Sequence, residues 1–447
     1  MNSKDYAKSI GVDFARGIDL RDMGEVTQDY GFMLPEYDNP RELHRREGLP
    51  HVLDRLEQGQ DVKVGYIGGS ITLQQGWRPR TTAWLKSRFP KADIVEINAA
   101  INGTGADFGA ARIEQHLLVH NPDLIFVEFA VNGGSEQDIE GMVRKIWRNN
   151  PSTDICFVYT LKSDQIPSYG PQSEPSFPSS IKAFETVGEY YGIPGIFLGY
   201  VVGDLYARDK LVPKAAEWID REGRAAFSKD GVHPVGIGDQ LYAGTVARCI
   251  LKMLESKKNP APRVLKAPLF ANNWERATMK EAAEFSGSLE VLDTRADDFS
   301  AKFPYTGYNL ETIKTIYPRL VKLAVPGDTI TVKFKGTILG IADAGGPFSG
   351  QLRVTVDSHL PILINRFTVH SANLRHQYFY LPEMEDAEHT VTFTLMPEAS
   401  DKRHMLLNKA DYDQNPEAYE GNEVYLGQML IVGEFLLLKE NKEARDK

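Results

Sequence analysis

The chain has 447 residues, of which 42% are hydrophobic and 25% charged, a composition typical of a globular protein with more than one domain. Its formal net charge of −10 argues against nucleic acid as a partner, because phosphate binding needs a concentrated basic surface. No run approaches the roughly 20 apolar residues that span a bilayer, so we expect no membrane partner.

The N-terminus and the cysteines bear on the compartment and on cofactors. The first residues, MNSKDYAKSIGVDF, lack the apolar core of a signal peptide. This predicts a cytoplasmic protein, or a secreted or periplasmic one if a signal has been removed. Cys156 and Cys249 lie in apolar stretches and are predicted to be buried small hydrophobes. Without a CxxC pair or a Cys/His cluster, we expect neither a metal site nor another cofactor.

Residues 1–60 are polar and mixed, and we interpret them as an N-terminal extension that contains a short helix. From 61 to 257, short apolar runs alternate with helical patterns. The runs predict buried strands at 63–68, 93–98, 123–130, 154–161 and 195–200. The helical periodicity predicts helices at 81–89, 109–119, 136–148, 181–192 and 237–255. This alternation indicates an α/β domain, a three-layer sandwich with a parallel sheet of flavodoxin-like strand order.

The polar, proline-containing stretch 256–263 predicts a linker. In the following residues, 264–447, apolar and polar side chains alternate with period two, and glycine-rich turns separate the runs. The clearest runs are 330–334, 352–356 and 390–395. They predict an antiparallel β-sandwich of jelly-roll type. Since the linker is short and contains two prolines, we expect this accessory domain to pack against the first and to contribute no catalytic residue.

Four short segments carry polar residues at predicted strand ends or just before a helix. They are GYIGGSIT with Ser70, NAAINGTGAD with Gly103, EFAVNGG with Asn132, and KDGVHP with Asp230 and His233. The ligand crevice of a parallel sheet lies at the carboxyl ends of its strands. The segments are therefore predicted to meet at one edge of the sheet.

The residue types in these segments suit acyl transfer. A serine hydroxyl needs an adjacent base, and histidine performs that role near neutral pH. An aspartate three residues before the histidine can hold the imidazole in the required tautomer. Backbone N–H groups and an asparagine amide can stabilise the oxyanion, and one such donor is worth about 3 kcal/mol of barrier.

Each segment also has a simpler interpretation. GGS after a strand is more often a phosphate loop or a plain turn, and an asparagine after a strand is usually a turn former. DGVHP alone is compatible with a turn. Asp230 and His233 could form half of a metal site, although no other Asp/His cluster in the sequence completes one. The order and spacing of all four segments favour the catalytic interpretation.

The arrangement Ser–Gly–Asn–(Asp-x-x-His), which covers roughly residues 62–255, resembles the SGNH (GDSL-like) serine hydrolase superfamily. The resemblance implies that Ser70 is the nucleophile, that His233 is the base and that Asp230 orients it. It implies an oxyanion hole formed by the N–H groups of Ser70 and Gly103 and the amide of Asn132. The glycine two residues later is a weaker candidate, because NAAINGT places the first glycine where the family pattern has it.

Two glycines depart from the family pattern. Gly69 stands where the family often has aspartate, and Gly133 follows the asparagine where aspartate is again frequent. Both departures put the substrate range in question more than the reaction. Gln75, Trp77 and Arg78 follow the nucleophile closely and are candidates for the substrate pocket. The alternative is that the tryptophan packs in the core and the arginine forms an ion pair.

The resemblance implies an esterase, and several SGNH relatives with an appended β-sandwich act on O-acetylated glycans. We therefore predict a serine ester hydrolase that removes O-acetyl or another short acyl group from a small-molecule or glycan ester through an acyl-enzyme. One alternative is a flavodoxin-like ligand-binding protein, which leaves DGVHP unexplained and lacks the glycine patterns of nucleotide-binding loops. Another is a carbohydrate-binding protein with an inert hydrolase half, against which the intact Ser70, Asp230 and His233 argue.

Overall fold

A computed structural model of the chain describes residues 36–217, 224–261, 263–303, 305–307 and 309–436. The N-terminal stretch on which the signal-peptide prediction depends lies outside these residues. By its contacts the chain divides into a first unit that ends at Glu275 and a second unit that begins at Arg276. None of the described helices is long and apolar enough to cross a membrane.

The first unit is built on a sheet of strands β1 (Leu43–His44), β2 (Val62–Gly68), β3 (Ile94–Asn98), β4 (Leu124–Glu128), β5 (Asp154–Tyr159) and β6 (Gly195–Phe197). Within the described residues their order is β1-β6-β5-β4-β2-β3. Strands β2 to β6 pair in parallel, and β1 pairs antiparallel with β6. Almost every residue of β2, β4 and β5 is buried, as expected for a sheet covered on both faces. The predicted α/β class and strand order are confirmed.

The helices of this unit are α1 (Pro50–Glu57), α2 (Ser70–Leu73), α3 (Trp77–Arg88), α4 (Ala106–His116), α5 (Glu136–Asn149), α6 (Ser179–Tyr191), α7 (Gly199–Ala207) and α8 (Ile237–Glu255). A further parallel pair, β7 (Leu211–Lys214) and β8 (Ala225–Ser228), precedes α8. Helix α3 begins before its predicted start because Pro79 lies in its first turn, where proline is tolerated. The sequence did not predict α2, which is a single turn, or α7, whose apolar start continued the run assigned to a strand.

Segments that the sequence placed outside the α/β domain are built into the first unit. Glu42, from the described part of the predicted extension, is fully buried and pairs with Arg248 of α8 at 2.7 Å. After α8, Arg263 pairs with the buried Asp154 of β5. The contacts of the first unit thus continue through the predicted linker as far as Glu275.

The second unit contains β9 (Ala277–Glu281), β10 (Glu290–Asp293), β11 (Arg319–Leu323), β12 (Thr329–Gly345), β13 (Gln351–Val356), β14 (Ile362–Asn365), β15 (Arg375–Tyr380), β16 (Ala387–Leu395) and β17 (Val424–Phe435). Its helices are α9 (Phe299–Lys302), α10 (Leu310–Ile316), α11 (Lys402–Met405) and α12 (Lys409–Gln414). All the described strand pairings here are antiparallel. Buried side chains from β11, β12, β13, β16 and β17 form a shared apolar core. The predicted antiparallel β-class is confirmed.

The long strand β12 organises this unit. Its first half pairs with β16 and its second half with β15, while β17 runs along its other side. Gly336 and Gly433 face each other in the β12–β17 pair, and a Cβ at Gly336 would lie 2.1 Å from the carbonyl oxygen of Val432. The predicted strand at 330–334 is therefore only the start of β12, because small residues interrupt the alternating pattern beyond it.

Candidate active site

Ser70 is the first residue of α2, and Gly69 is the N-cap that joins this helix to β2. The turn has no room for side chains. A Cβ at Gly69 would lie 2.2 Å from Oδ1 of Asn132, and one at Gly68 would lie 2.5 Å from the carbonyl oxygen of Glu128. Both distances are far below van der Waals contact. A side chain at position 69 would therefore require the amide of Asn132 to move.

Ser70, His233 and Asp230 form a continuous hydrogen-bonded chain. The Oγ atom of Ser70 lies 2.7 Å from Nε2 of His233, and Nδ1 of His233 lies 2.6 Å from Oδ2 of Asp230. The aspartate and the histidine lie in the loop between β8 and α8. With the carboxylate accepting the Nδ1 proton, the Nε2 lone pair faces the serine hydroxyl as a base. The fold thus brings together the residues that the sequence assigned to the catalytic triad.

The backbone of its own loop holds the carboxylate of Asp230. Its Oδ1 accepts the N–H groups of Val232 and His233, both at 2.8 Å, and the hydroxyl of Ser228 at 3.1 Å. Burial raises the pKa of Asp230, but hydrogen bonds from His233 and Val232 outweigh this effect and bring the pKa well below its ordinary value. Asp230 is therefore ionised at neutral pH and can stabilise an imidazolium.

The candidate oxyanion donors lie on loops that converge on the nucleophile turn. Asn132 follows β4, and its amide occupies the space that a Cβ on Gly69 would enter. The next residue, Gly133, has φ 108°, and its carbonyl oxygen accepts the N–H of Ala106 at 3.0 Å. This hydrogen bond joins the asparagine loop to the start of α4. The asparagine amide is thereby held beside the residue that precedes Ser70.

Gly103 lies in the loop between β3 and α4. It is exposed and has φ 71°, a conformation that favours glycine. The same loop is attached to the nucleophile turn, because the N–H of Ile101 donates to the carbonyl oxygen of Gly68 at 3.0 Å. The oxyanion roles of Gly103, Asn132 and the Ser70 N–H stay predictions.

Replacing Asn132 with alanine is expected to lower kcat by about 10²-fold or more, with little change in KM, because an oxyanion donor acts only in the transition state. Steady-state kinetics on an activated acetyl ester measure the two constants separately. The Asn149→Ala variant is the control, since it removes an exposed amide at the end of α5 that has no assigned part in binding or catalysis. An unchanged kcat with a raised KM would instead assign Asn132 to substrate binding.

Of the candidate pocket residues, Trp77 lies in the core. It is fully buried, and its ring packs edge-on against Tyr66 and Phe126, with centroid distances of 5.6 and 6.0 Å. Trp77 therefore packs in the core, as the alternative interpretation predicted, and does not line a substrate pocket. Gln75 is partly exposed and stays a pocket candidate.

Arg78 is also buried, and it supports the nucleophile helix instead of lining a pocket. Its guanidinium pairs with Glu96 of β3 and donates to the carbonyl oxygens of Thr72 at 2.9 Å and Leu73 at 3.3 Å. Helix α2 has only four residues, and a helix of this length is not stable by itself. Arg78 satisfies carbonyl groups at its C-terminal end.

Sequence reasoning missed two side chains that connect the catalytic segments. Gln74 donates from Nε2 to the carbonyl oxygen of Pro234 at 3.0 Å, which joins the end of α2 to the histidine loop. Arg112 of α4 is fully buried and donates to the carbonyl oxygens of Ala99 and Gly68. The sequence did contain an indication of the role of Arg112. Its position in the helical period lies on the face of α4 that packs against the protein interior, where an arginine needs hydrogen-bond acceptors.

The two cysteines and His116, which are also potentially reactive, lie in surroundings that favour their neutral forms. Cys156 and Cys249 are buried free thiols, as predicted, and burial raises the pKa of both. Burial also lowers the pKa of His116, on α4, to about 4, so it is neutral at physiological pH. Among the described residues, no group of three or more His, Cys, Asp or Glu side chains is arranged to hold a metal ion.

Comparison with protein-family models and with curated proteins gave no match. Solved structures do match. A two-domain esterase (CEX) active on acetylated mannans, co-crystallised with mannopentaose, has TM-score 0.64 and 20% identity over 89% of this chain and 99% of its own. A second structure of a two-domain esterase (CEX) gives TM-score 0.64 and 20% identity over 88% and 98% of the two chains.

A third solved structure, the acetylxylan esterase Axe2 from Geobacillus stearothermophilus, covers 42% of this chain and 94% of its own, with 17% identity and TM-score 0.32. The two-domain matches extend over both units of this chain. At their level of identity the likeness shows a shared fold. The chain therefore has the fold of the two-domain esterase (CEX), in which an α/β unit precedes an antiparallel β-unit.

Proposed function

We propose that this protein is a serine esterase that removes O-acetyl or another short acyl group from a carbohydrate. The observation that carries the proposal is the chain of hydrogen bonds from Ser70 Oγ through His233 to Asp230, at 2.7 and 2.6 Å. A ligand-binding protein has no need for a serine bonded to the imidazole of an aspartate–histidine pair. The arrangement has the geometry of nucleophile, base and orienting carboxylate.

In the acylation step, Ser70 Oγ attacks the ester carbonyl carbon while its proton moves to Nε2 of His233. The carbonyl π electrons move to oxygen, and the proposed N–H and amide donors stabilise the resulting oxyanion. Asp230 keeps its charge and stabilises the imidazolium. When the tetrahedral intermediate collapses, the C–O bond to the alcohol breaks and the leaving oxygen takes the proton from His233. The alcohol departs and an acyl-serine remains.

In the deacylation step, His233 removes a proton from water, and the hydroxide equivalent attacks the acyl-serine carbonyl. Collapse of the second tetrahedral intermediate breaks the bond to Ser70 Oγ, which regains a proton from His233. The products are a carboxylic acid and the free enzyme. The cycle needs no oxidant and no cofactor, and each proton taken by the histidine is returned.

The fold supports a glycan ester as the substrate class. The two-domain esterase whose fold covers 89% of this chain is described as active on acetylated mannans. Under this proposal the first unit hydrolyses the ester bond, and the second unit is an accessory domain of a carbohydrate esterase. We infer that the acyl group of the natural substrate is acetyl.

The direct test is product analysis. We expect acetate release from acetylated manno- or xylo-oligosaccharides, and faster cleavage of p-nitrophenyl acetate than of p-nitrophenyl esters with long acyl chains. Free acid is measured by chromatography and the Ser70→Ala variant serves as the blank. A protein that releases no acid from any of these esters, or that prefers long acyl chains, contradicts the proposal.

Activity is expected to be lost when His233 is protonated, because an imidazolium cannot accept the proton of the serine hydroxyl. The pKa of Asp230 lies well below its ordinary value, so this carboxylate stays ionised as the pH falls and does not cause the loss of activity. We expect EDTA to have no effect, because the described residues lack a cluster of metal-binding side chains. Loss of activity in EDTA that zinc restores would make Asp230 and His233 metal ligands instead.

A further inference from the structure

The side chain of Gln74 connects the nucleophile helix with the segment that carries the base. Gln74 is the C-cap of α2, and its main-chain N–H donates to the carbonyl oxygen of Ser70 at 3.0 Å. Its Nε2 donates to the carbonyl oxygen of Pro234 at 3.0 Å and to Oδ1 of Asp239 at 3.1 Å. Pro234 directly follows His233, and Asp239 lies in the first turn of α8. One amide group therefore contacts both the histidine loop and the helix that follows it.

The two partners determine the orientation of this amide. The main-chain carbonyl of Pro234 and the carboxylate of Asp239 both accept hydrogen bonds, and the NH2 group of a glutamine carries two protons to donate. An amide turned the other way would place its oxygen against two acceptors. Asp239 is itself buried, which limits the access of water to its carboxylate. A side chain of similar length without donors therefore cannot replace Gln74.

The segments on both sides of this contact are closely packed or separately attached. A Cβ at Gly76 would lie 2.2 Å from Oδ1 of Asp239 and 2.9 Å from Nε2 of Gln74, so the chain after α2 passes directly against the contact. On its other side the histidine loop is attached to β8, because the N–H of Val235 donates to the carbonyl oxygen of Phe227 at 2.9 Å. The hydrogen bonds of Gln74 thus join two segments of the site.

We propose that Gln74 is a positioning residue that fixes the separation between Ser70 Oγ and His233 Nε2, which is 2.7 Å in the structure. This inference rests on the proposed function, in which the imidazole takes the serine proton. A base must lie within hydrogen-bond reach of the proton that it removes, and a misplacement of about 1 Å can lower a rate about 10²-fold. Loss of the Gln74 contacts therefore slows the attack by Ser70 and leaves substrate binding unchanged.

The test measures the reactivity of Ser70 in the full chain with a fluorophosphonate probe, which needs no ester substrate. Ser70 Oγ forms a bond to phosphorus, fluoride departs, and the serine proton moves to His233 and then to solvent. Intact-protein mass spectrometry gives the first-order rate constant of labelling, kinact, and the probe concentration for half-maximal rate, KI. Ser70→Ala identifies the labelled residue, since it should stay unmodified.

In Gln74→Met, which keeps the length of the side chain and removes its donors, we expect kinact to fall about tenfold or more with little change in KI. On p-nitrophenyl acetate, kcat should fall in the same way and KM should stay close to the wild-type value. The matched control is Gln58→Met. Gln58 is the C-cap of α1 and donates to Oδ2 of Asp54 at 2.7 Å, but it lies before β2, at the opposite end of that strand from Ser70. This variant should react like the wild type.

Gln74→Asn provides a second variant if Gln74→Met does not fold. It keeps the amide but is one methylene group shorter, so it cannot reach both acceptors and should show the same loss of kinact. Wild-type kinact in the folded Gln74 variants overturns the proposal, and a lowered unfolding temperature with that result would assign Gln74 a purely structural role. A wild type that is labelled at Ser70 but hydrolyses no ester would contradict the proposed function and not the positioning role. A wild type that the probe leaves unlabelled would overturn both.

Discussion

Ser70→Ala is expected to lower kcat on an activated acetyl ester by about 10⁴- to 10⁶-fold, the usual cost of removing a catalytic serine. The substitution removes the atom that forms the acyl-enzyme and leaves His233 without the hydroxyl that it deprotonates. Binding of the substrate and stabilisation of the oxyanion by the remaining donors account for the residual rate. Initial rates over a range of ester concentrations, with the enzyme concentration raised for the variant, measure the effect.

The fold should survive this change. Helix α2 is held by Arg78 at its carbonyl end and by Gln74 at the histidine loop, and neither contact involves the side chain of Ser70. We therefore expect an unchanged circular dichroism spectrum and an unfolding temperature close to that of the wild type. Ser168→Ala is the matched control, because that hydroxyl donates to the main-chain carbonyl of Gln165 and has no catalytic role. Near-wild-type turnover by Ser70→Ala would refute the assignment of the nucleophile.

The proposed catalytic triad was accessible to sequence reasoning because it depends on local features. Ser70 follows a strand of the parallel sheet, and the carboxyl ends of such strands meet at one edge. Asp230 and His233 follow β8 of the separate β7–β8 pair and lie just before α8. Their residue types have a clear chemical meaning, and the spacing of Asp230 and His233 lets one loop carry both.

The supporting residues were not accessible in this way. Glu128 bonds to Thr72 and Thr160 because β4 lies between β2 and β5 and all three strand ends face the same side. That relation exists only in the folded sheet, and no spacing in the sequence expresses it. Arg78 shows the converse, since it is close to Ser70 along the chain but points into the protein towards Glu96. Proximity in sequence was a poor guide to the pocket.

The composition of the predicted linker indicates a polar stretch but does not reveal the residues that it contacts. The backbone N–H groups of Leu269 and Phe270 donate to the two carboxylate oxygens of Glu140, at 2.5 and 2.8 Å. Glu140 is fully buried. Arg144 donates to the carbonyl oxygen of Lys266 at 2.8 Å and pairs with Glu275 at 2.9 Å. Residues 263–275 therefore supply hydrogen-bond and ion-pair partners for the buried Glu140 and Arg144 of α5.

This arrangement predicts opposite outcomes for two truncations of the chain. A protein that ends after residue 275 keeps these contacts and should fold and hydrolyse small acetyl esters, because the proposed catalytic triad lies wholly in the first unit. A protein that ends after residue 258 leaves Glu140 without its N–H donors and Asp154 without Arg263. Breaking a buried ion pair by removing one partner costs about 3–5 kcal/mol, which is a large fraction of the stability of a domain.

We therefore expect the shorter protein to be insoluble or to unfold at a clearly lower temperature than the longer one, as measured by differential scanning fluorimetry and by soluble yield. Arg263→Ala in the protein that ends after residue 275 isolates one of the lost contacts and should give an intermediate unfolding temperature. Equal unfolding temperatures for the two truncated proteins would show that residues 263–275 only connect the units. A longer protein that is folded but inactive on small esters would show that the second unit supplies part of the active site.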